Sequence, residues 1–148
     1  MMNVITKEFK LKKYCCLYAS DFHLEMILLP YVKKNINKFK IVILTEEDLS
    51  ESIKQVLDRT NLPEDEKNKI LNLNWGNKKE DFSNIEEFTS IIVNGKIEYI
   101  NKVNDEIKNM GLKNINIINC FNINEIQKNK FNIENEYDGI LNTDYINE

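Results

Sequence analysis

Glycine, arginine and histidine are scarce in this chain, and each scarcity closes off a class of chemistry. There are four glycines in 148 residues, and none lies in the first strand-to-helix turn, Ser20-Asp21-Phe22-His23. Phosphate-binding turns need glycine there so that backbone N–H groups can approach the phosphates. Arg59 is the only arginine, which leaves a single candidate for bidentate recognition of phosphate, carboxylate or guanine. One histidine and three cysteines without C-x-x-C spacing argue against a zinc site. No apolar run approaches the roughly 18–20 residues that span a bilayer. The first thirteen residues are mixed and charged, without the apolar core of a signal peptide, so a cytoplasmic location is expected. The net charge of −4 speaks against a general nucleic-acid binder.

What is present reads as one α/β domain over residues 1–148. Apolar content of 42% and charge of 30% suit a folded chain of this length. The heavy use of Lys, Asn and Ile fits an AT-rich genome, so the asparagine clusters are given no function. Tyr14-Cys-Cys-Leu-Tyr-Ala19 reads as a buried strand, and its adjacent Cys15 and Cys16 should face opposite sides as buried thiols. A helix follows from Asp21 to Asn37, with Leu24, Ile27, Leu28, Tyr31 and Ile36 on one stripe. Pro30 should kink or split it near Met26–Pro30. Phe39-Lys-Ile-Val-Ile-Leu-Thr45 is the second strand, completing a βαβ unit.

Asp48-Leu-Ser-Glu51 has capping-box spacing before a helix with Leu49, Ile53, Val56 and Leu57 as its stripe. Pro63 starts a second short helix through Ile70. Leu71 to Trp75 alternates and suggests a short strand, and Gly76 to Phe88 is a loop with one helical turn at Ser83. Phe88 to Val93 is a strand. Ile97, Ile100, Val103, Ile107 and Met110 define an amphipathic helix closed by Gly111. Ile115 to Phe121 is a strand, Asn124 to Lys130 a short helix, and Tyr137 to Thr143 a last strand before a frayed tail. The alternation predicts a three-layer α/β/α sandwich, Rossmann-like or RecA-like without a Walker A loop, with a mainly parallel sheet of about five strands.

Ligands of open parallel sheets bind outside the carboxyl ends of the strands. That rule selects Ser20, Asp21, His23, Glu46, Glu47, Asn94, Asn142 and Thr143 as candidate ligand-binding residues, on a polar and rather acidic rim. His23 with Asp21 or Glu47 has the makings of an oriented general base, but no nucleophile stands beside it and a surface histidine is the plainer reading. Asp21, with Ser20, is most simply a helix N-cap. Glu46-Glu47-Asp48 reads either as a Mg²⁺ cluster or as capping and solvated charge. Trp75 reads as core rather than as a stacking platform. No catalytic residue, metal or cofactor is assigned.

The first half resembles the MEDS family, the sensory domains of methanogens and methylotrophs. The likeness runs from Lys13 to Trp75. It is carried by Tyr14-Cys-Cys-Leu-Tyr-Ala-Ser-Asp, by the Leu-Leu-Pro-Tyr-Val step of the first helix, by Lys40-Ile-Val-Ile-Leu-Thr-Glu-Glu, by Ser52-Ile-Lys-Gln-Val-Leu57 and by Ile70 to Trp75. Tyr18, Asp21 and Leu29-Pro30-Tyr31 fit the family's pattern of residue types. The resemblance implies a RecA-type fold without a working phosphate loop and a role in signal transduction. Members usually accompany a DNA-binding or kinase segment, and no such segment is recognisable here. The expected function is therefore a non-enzymatic sensory or regulatory module binding a small molecule or protein partner at the strand ends. A small enzyme using His23 and a homodimeric adaptor, built on a sheet edge or the first helix, are the alternatives.

Overall fold

The computed structural model describes residues 11–80, 82–129, 137–142 and 145–147. Six strands form one sheet: β1 (Lys12–Tyr18), β2 (Lys40–Thr45), β3 (Thr89–Asn94), β4 (Ile115–Asn122), β5 (Gly139–Asn142) and β6 (Tyr145–Asn147). Their order across the sheet is β2-β3-β4-β1-β5-β6. The first five are parallel, and β6 returns antiparallel to β5. The three-layer sandwich is therefore as expected, with β6 standing where a frayed tail was expected. β3 and β4 are buried along almost their whole length, which is why they read as near-continuous apolar runs.

The helices are α1 (Asp21–Asn35), α2 (Ser50–Asp58), α3 (Glu64–Leu71), α4 (Ile97–Asn109) and α5 (Ile123–Asn129). One face of the sheet carries α1, α2 and α3. Leu24, Ile27, Leu28, Tyr31 and Val32 of α1 pack there with Ile53, Leu57 and Ile70 on Tyr14, Cys16, Tyr18, Ile43, Ile92 and Ile118. The opposite face carries α4, whose Ile100, Val103 and Ile107 pack on Cys15, Ile91, Val93, Ile117 and Phe121. Cys15 and Cys16 thus point to opposite layers, as strand alternation requires, and all three cysteines are buried and free. Met110, expected on the α4 stripe, is instead exposed at the helix end.

Three expectations are corrected. α1 is not split at Pro30 but runs unbroken from Asp21 to Asn35. Pro30 lies on the exposed side of the helix. Its missing N–H leaves the Met26 carbonyl without an intrahelical donor there, while the buried side of the ladder continues. Second, Leu71 to Trp75 is not a strand. Trp75 is buried, and its indole N–H donates to the Ile70 carbonyl at 2.8 Å, tying the turn to the end of α3. The alternation reflects Leu71, Leu73 and Trp75 packing on the core through a turn. Third, the α1 cap is Ser20 alone, whose hydroxyl oxygen accepts from the His23 amide at 3.2 Å, and Asp21 is the first helical residue.

The α2–α3 hairpin is an excursion that closes on itself. The Leu49 amide donates to the Trp75 carbonyl at 2.7 Å, so the hairpin returns to the end of β2. Gly76 makes this neck possible. At φ +106° it sits where a Cβ would lie 2.7 Å from both the Asp48 Cα and the Glu47 oxygen. The chain then passes to the other face, where Phe82 and Ile85 pack in the α4 layer before β3 begins.

Candidate functional site

β1 and β4 are neighbours, yet α1 leaves β1 on one face of the sheet and α5 leaves β4 on the other. This is the switch point at which open α/β sheets hold ligands. Its floor is a buried polar string across the strand ends. The Tyr18 hydroxyl donates to Asn94 Oδ1 at 2.9 Å, Asn94 Nδ2 donates to Thr45 Oγ1 at 3.3 Å, and Thr45 Oγ1 donates to the Glu47 carbonyl at 2.8 Å. Burial, then the nearby Cys120, Glu47, Asp21 and Cys16, hold the Tyr18 phenol well above its ordinary range. It is a neutral donor, not a base.

Each helix that follows a parallel strand has at least one amide at its start held by a side chain of this chain. At α1, the Ser20 hydroxyl accepts from His23, and His23 Nδ1 accepts from the Ala19 amide at 2.9 Å. At α2, Asp48 Oδ1 accepts from the Ser50 amide at 2.9 Å and from its hydroxyl at 2.5 Å. These bonds, the hydroxyl's first, hold the Asp48 carboxyl below its ordinary range. At α4, Glu46 Oε1 accepts from the Lys96 amide at 2.9 Å and Glu125 Oε1 from the Ile97 amide at 3.1 Å. At α5, Asn122 Oδ1 accepts from the Asn124 amide at 2.9 Å. At least one amide near each of these helix starts already holds an internal acceptor, and at α4 the acceptors are two carboxylates.

The sequence-selected residues therefore separate into groups. Glu46 and Asn94 meet at the joined ends of β2 and β3, where the Glu46 amide also donates to the Asn94 carbonyl at 2.9 Å. Glu47 contributes its carbonyl to the polar string and leaves its side chain exposed. Ser20, Asp21 and His23 form the α1 turn beyond β1. Asn142 ends β5, on the far side of β1 from Asn94, and Thr143 lies outside the described residues. Among the described residues no three His, Cys, Asp or Glu side chains gather as a metal site would require. No described helix is long and apolar enough to cross a membrane.

Two features escaped the reading of the sequence. Glu25 is 1% exposed between α1 and α2, where its carboxylate accepts from the Ser52 hydroxyl. Burial raises its pKa, opposed by the Ser52 bond and reinforced by Asp21. Helical spacing reveals its position, since it stands one turn before Leu28 and two before Val32 on the inward arc. The other feature is the outward face of α1. Phe22 is 61% and Met26 42% exposed, and with Leu29, Pro30 and Lys33 they fall at i, i+4, i+7, i+8 and i+11. The stripe leads into a cleft of about 450 Å³, walled by Met26, Leu29 and Pro30 on one side and by Val56, Leu62 and Ile70 on the other. Lys33, Thr60 and Asn61 supply its polar margin.

Comparison with protein-family models, with curated proteins and with solved structures finds no match for this chain.

Proposed function

We propose that this chain is a non-enzymatic regulatory module that works by binding through the helical layer over β1. The observation that carries the reading is the second apolar stripe of α1. A surface helix ordinarily buries one stripe and presents polar residues elsewhere. α1 buries Leu24, Ile27, Leu28, Tyr31 and Val32, yet still presents Phe22 and Met26 to solvent beside an apolar cleft. Contiguous exposed apolar surface is a common mark of an interaction site. The sensory part of the reading rests on the resemblance of residues 13–75 to the MEDS family. The start of α4 supports it too, because two carboxylates of the chain hold amides that a phosphate would otherwise use.

The cleft favours a second reading, a small apolar ligand with an anionic head near Lys33, because its volume of 450 Å³ lies in the range of small-molecule sites. An anilinonaphthalene sulfonate probe tests the face in either case. Its fluorescence should rise with dilute wild-type protein and fall at least several-fold with Met26→Asp. No fluorescence gain with folded protein would overturn the docking reading. A thermal-shift panel of apolar carboxylates then separates the two, since a ligand that binds only the folded state raises Tm with its concentration. The enzyme alternative needs His23 as a base, and any turnover that survives His23→Ala removes it.

A further inference from the structure

We infer that the outer edge of β2 is a separate binding site, where an acidic segment of a partner protein adds to the sheet as a further strand. The inference is independent of the α1 face. β2 ends the strand order and has a neighbour, β3, on one side only. The Glu46 amide donates to the Asn94 carbonyl at the end of β3, and this fixes the pleat. The even-numbered residues of β2 turn their backbone groups towards β3, so Ile41 and Ile43 turn theirs outward. Among the described residues no backbone group meets Ile41 or Ile43 on that side. Their side chains are buried in the layer beneath α1, so the edge is a held, unpaired template.

A groove of about 350 Å³ runs along this edge, lined by β2 from Lys40 to Leu44 and walled by Leu73, Asn74, Lys78, Lys79 and Asn84. Its floor is about 13 Å long, the length of a short strand. The chain itself builds the wall. Asn74 Oδ1 accepts from the Gly76 and Lys78 amides, each at 3.1 Å, and Asn74 Nδ2 donates to the Lys78 and Lys79 carbonyls at 3.3 and 3.4 Å. Two features define the occupant. Alternating N–H and C=O groups along an edge are satisfied together by another extended chain. Every charged side chain that lines the groove is a lysine, in a chain of net charge −4. Among the described residues no ion pair engages Lys78 or Lys79, and Glu80 beside them is turned to the Tyr99 hydroxyl. Lys40 has the exposed Glu86 at 3.5 Å, a pair that a carboxylate in the groove can replace. Lysines at an edge keep like edges apart. Here they oppose a second copy, which brings the same three, and favour a strand that carries carboxylates.

Fluorescence anisotropy of a labelled, end-capped peptide of alternating Glu and Val, titrated with the full chain, tests this. The peptide should bind, and its counterpart of alternating Lys and Val should bind about tenfold more weakly or not at all. Lys78→Glu combined with Lys79→Glu, both at exposed positions, should weaken binding about tenfold or more and leave urea unfolding unchanged. Two further peptides carry N-methyl groups on one or the other set of alternate amides. One should keep most of the affinity and the other lose about tenfold, because only one set of amides faces β2. With the Glu-Val peptide bound, amide exchange at Ile41 and Ile43 should slow about tenfold or more, with little change at Val42 and Leu44. Absence of binding, equal affinity for the two methylated peptides, or indifference to the lysine reversals overturns the inference. Slow exchange at Ile41 and Ile43 without peptide, with a sedimenting mass of twice 17.5 kDa, would give the edge to a second copy and overturn it too. The Met26→Asp comparison with the sulfonate probe reads the α1 face alone, so the two proposals stand or fall separately.

Discussion

Gly76→Ala should be among the most damaging single-methyl changes this chain can suffer, and Gly111→Ala provides its control. Both glycines have positive φ, +106° and +70°, so both substitutions carry the backbone cost of about 1–2 kcal/mol for an L side chain in that half of the map. Their surroundings differ. The Cβ at position 111 meets nothing within 4 Å, whereas the Cβ at 76 meets the Asp48 Cα and the Glu47 oxygen at 2.7 Å and the Thr45 methyl at 3.2 Å. Backbone atoms cannot swing aside as a side-chain end can. Relieving the contact means parting the neck of the α2–α3 hairpin, where the Leu49 amide meets the Trp75 carbonyl. Forced overpacking of this kind typically adds about 1–3 kcal/mol. Gly76→Ala should therefore lose about 2–5 kcal/mol, and Gly111→Ala only about 1–2 kcal/mol. Urea unfolding followed by Trp75, the single tryptophan and the residue next to the change, measures both. In the folded Gly76→Ala protein the Trp75 emission should also move to the red as the neck opens to water. Equal losses for the two variants would refute the closed neck and the hairpin excursion with it.

Other groups give narrower tests. Tyr31→Phe removes the buried hydrogen bond between the Tyr31 hydroxyl and Ser90 Oγ, 2.8 Å apart, and should cost about 1–2 kcal/mol in urea unfolding; adding Ser90→Ala should recover part of that loss, because no hydroxyl is then stranded. Glu25 binds a proton more tightly folded than unfolded, so its contribution to stability falls as pH rises from its ordinary value of 4.5 to its raised folded value. Glu25→Gln should consequently gain on the wild type as the pH rises through that interval, at no more than about 1.4 kcal/mol per pH unit, and a pH-independent difference would refute a raised Glu25. Phe88 holds φ +64° with its ring partly exposed, a conformation that asparagine tolerates far better. Phe88→Asn should raise Tm by about 2–4 °C for each kcal/mol of strain relieved, and a fall in Tm would show that the ring's packing outweighs the strain.

The local elements were legible because their periodicities are strong. Ile97, Ile100, Val103 and Ile107 state a helix, and the runs through Ile91 and Ile117 state buried strands. The order of the strands was not legible. β1 reaches β2 by passing over β4 and β3, and no local pattern encodes how far a crossover travels. β6 was missed because three residues carry too little alternation to be read. Leu71 to Trp75 misled because a turn with three inward side chains imitates a strand's period. Discounting the asparagines as genomic bias misses the ones that hold the fold together. Asn119 and Asn104 exchange amide hydrogen bonds of 2.9 and 3.1 Å between β4 and α4, and Asn94 links Tyr18 to Thr45. Composition cannot separate these from surface asparagines, since the difference lies in burial. On the rim, the turn residues fell at the strand ends as topology requires. That they satisfy one another could not be seen, because the Glu46 and Glu125 contacts join residues 50 and 28 positions apart.

Those two contacts decide how the architecture relates to its chemistry. In a phosphate-binding α/β domain, the amides that open a helix stay vacant until the ligand supplies an anion. Here Glu46 and Glu125 act as permanent anions for α4, and Ser20, Asp48 and Asn122 do the same work at α1, α2 and α5. One or two N–H groups at each of these helix starts are thereby held without a ligand, and an incoming phosphate would have to displace a carboxylate of like charge to reach α4. The strand ends become structural, a joint that fixes β2, β3 and the start of α4 against one another. Binding free energy must then come from surface that folding has left unsatisfied. Among the described residues such a surface lies on α1, where Phe22 and Met26 are exposed beside an apolar cleft walled on its other side by the α2–α3 hairpin.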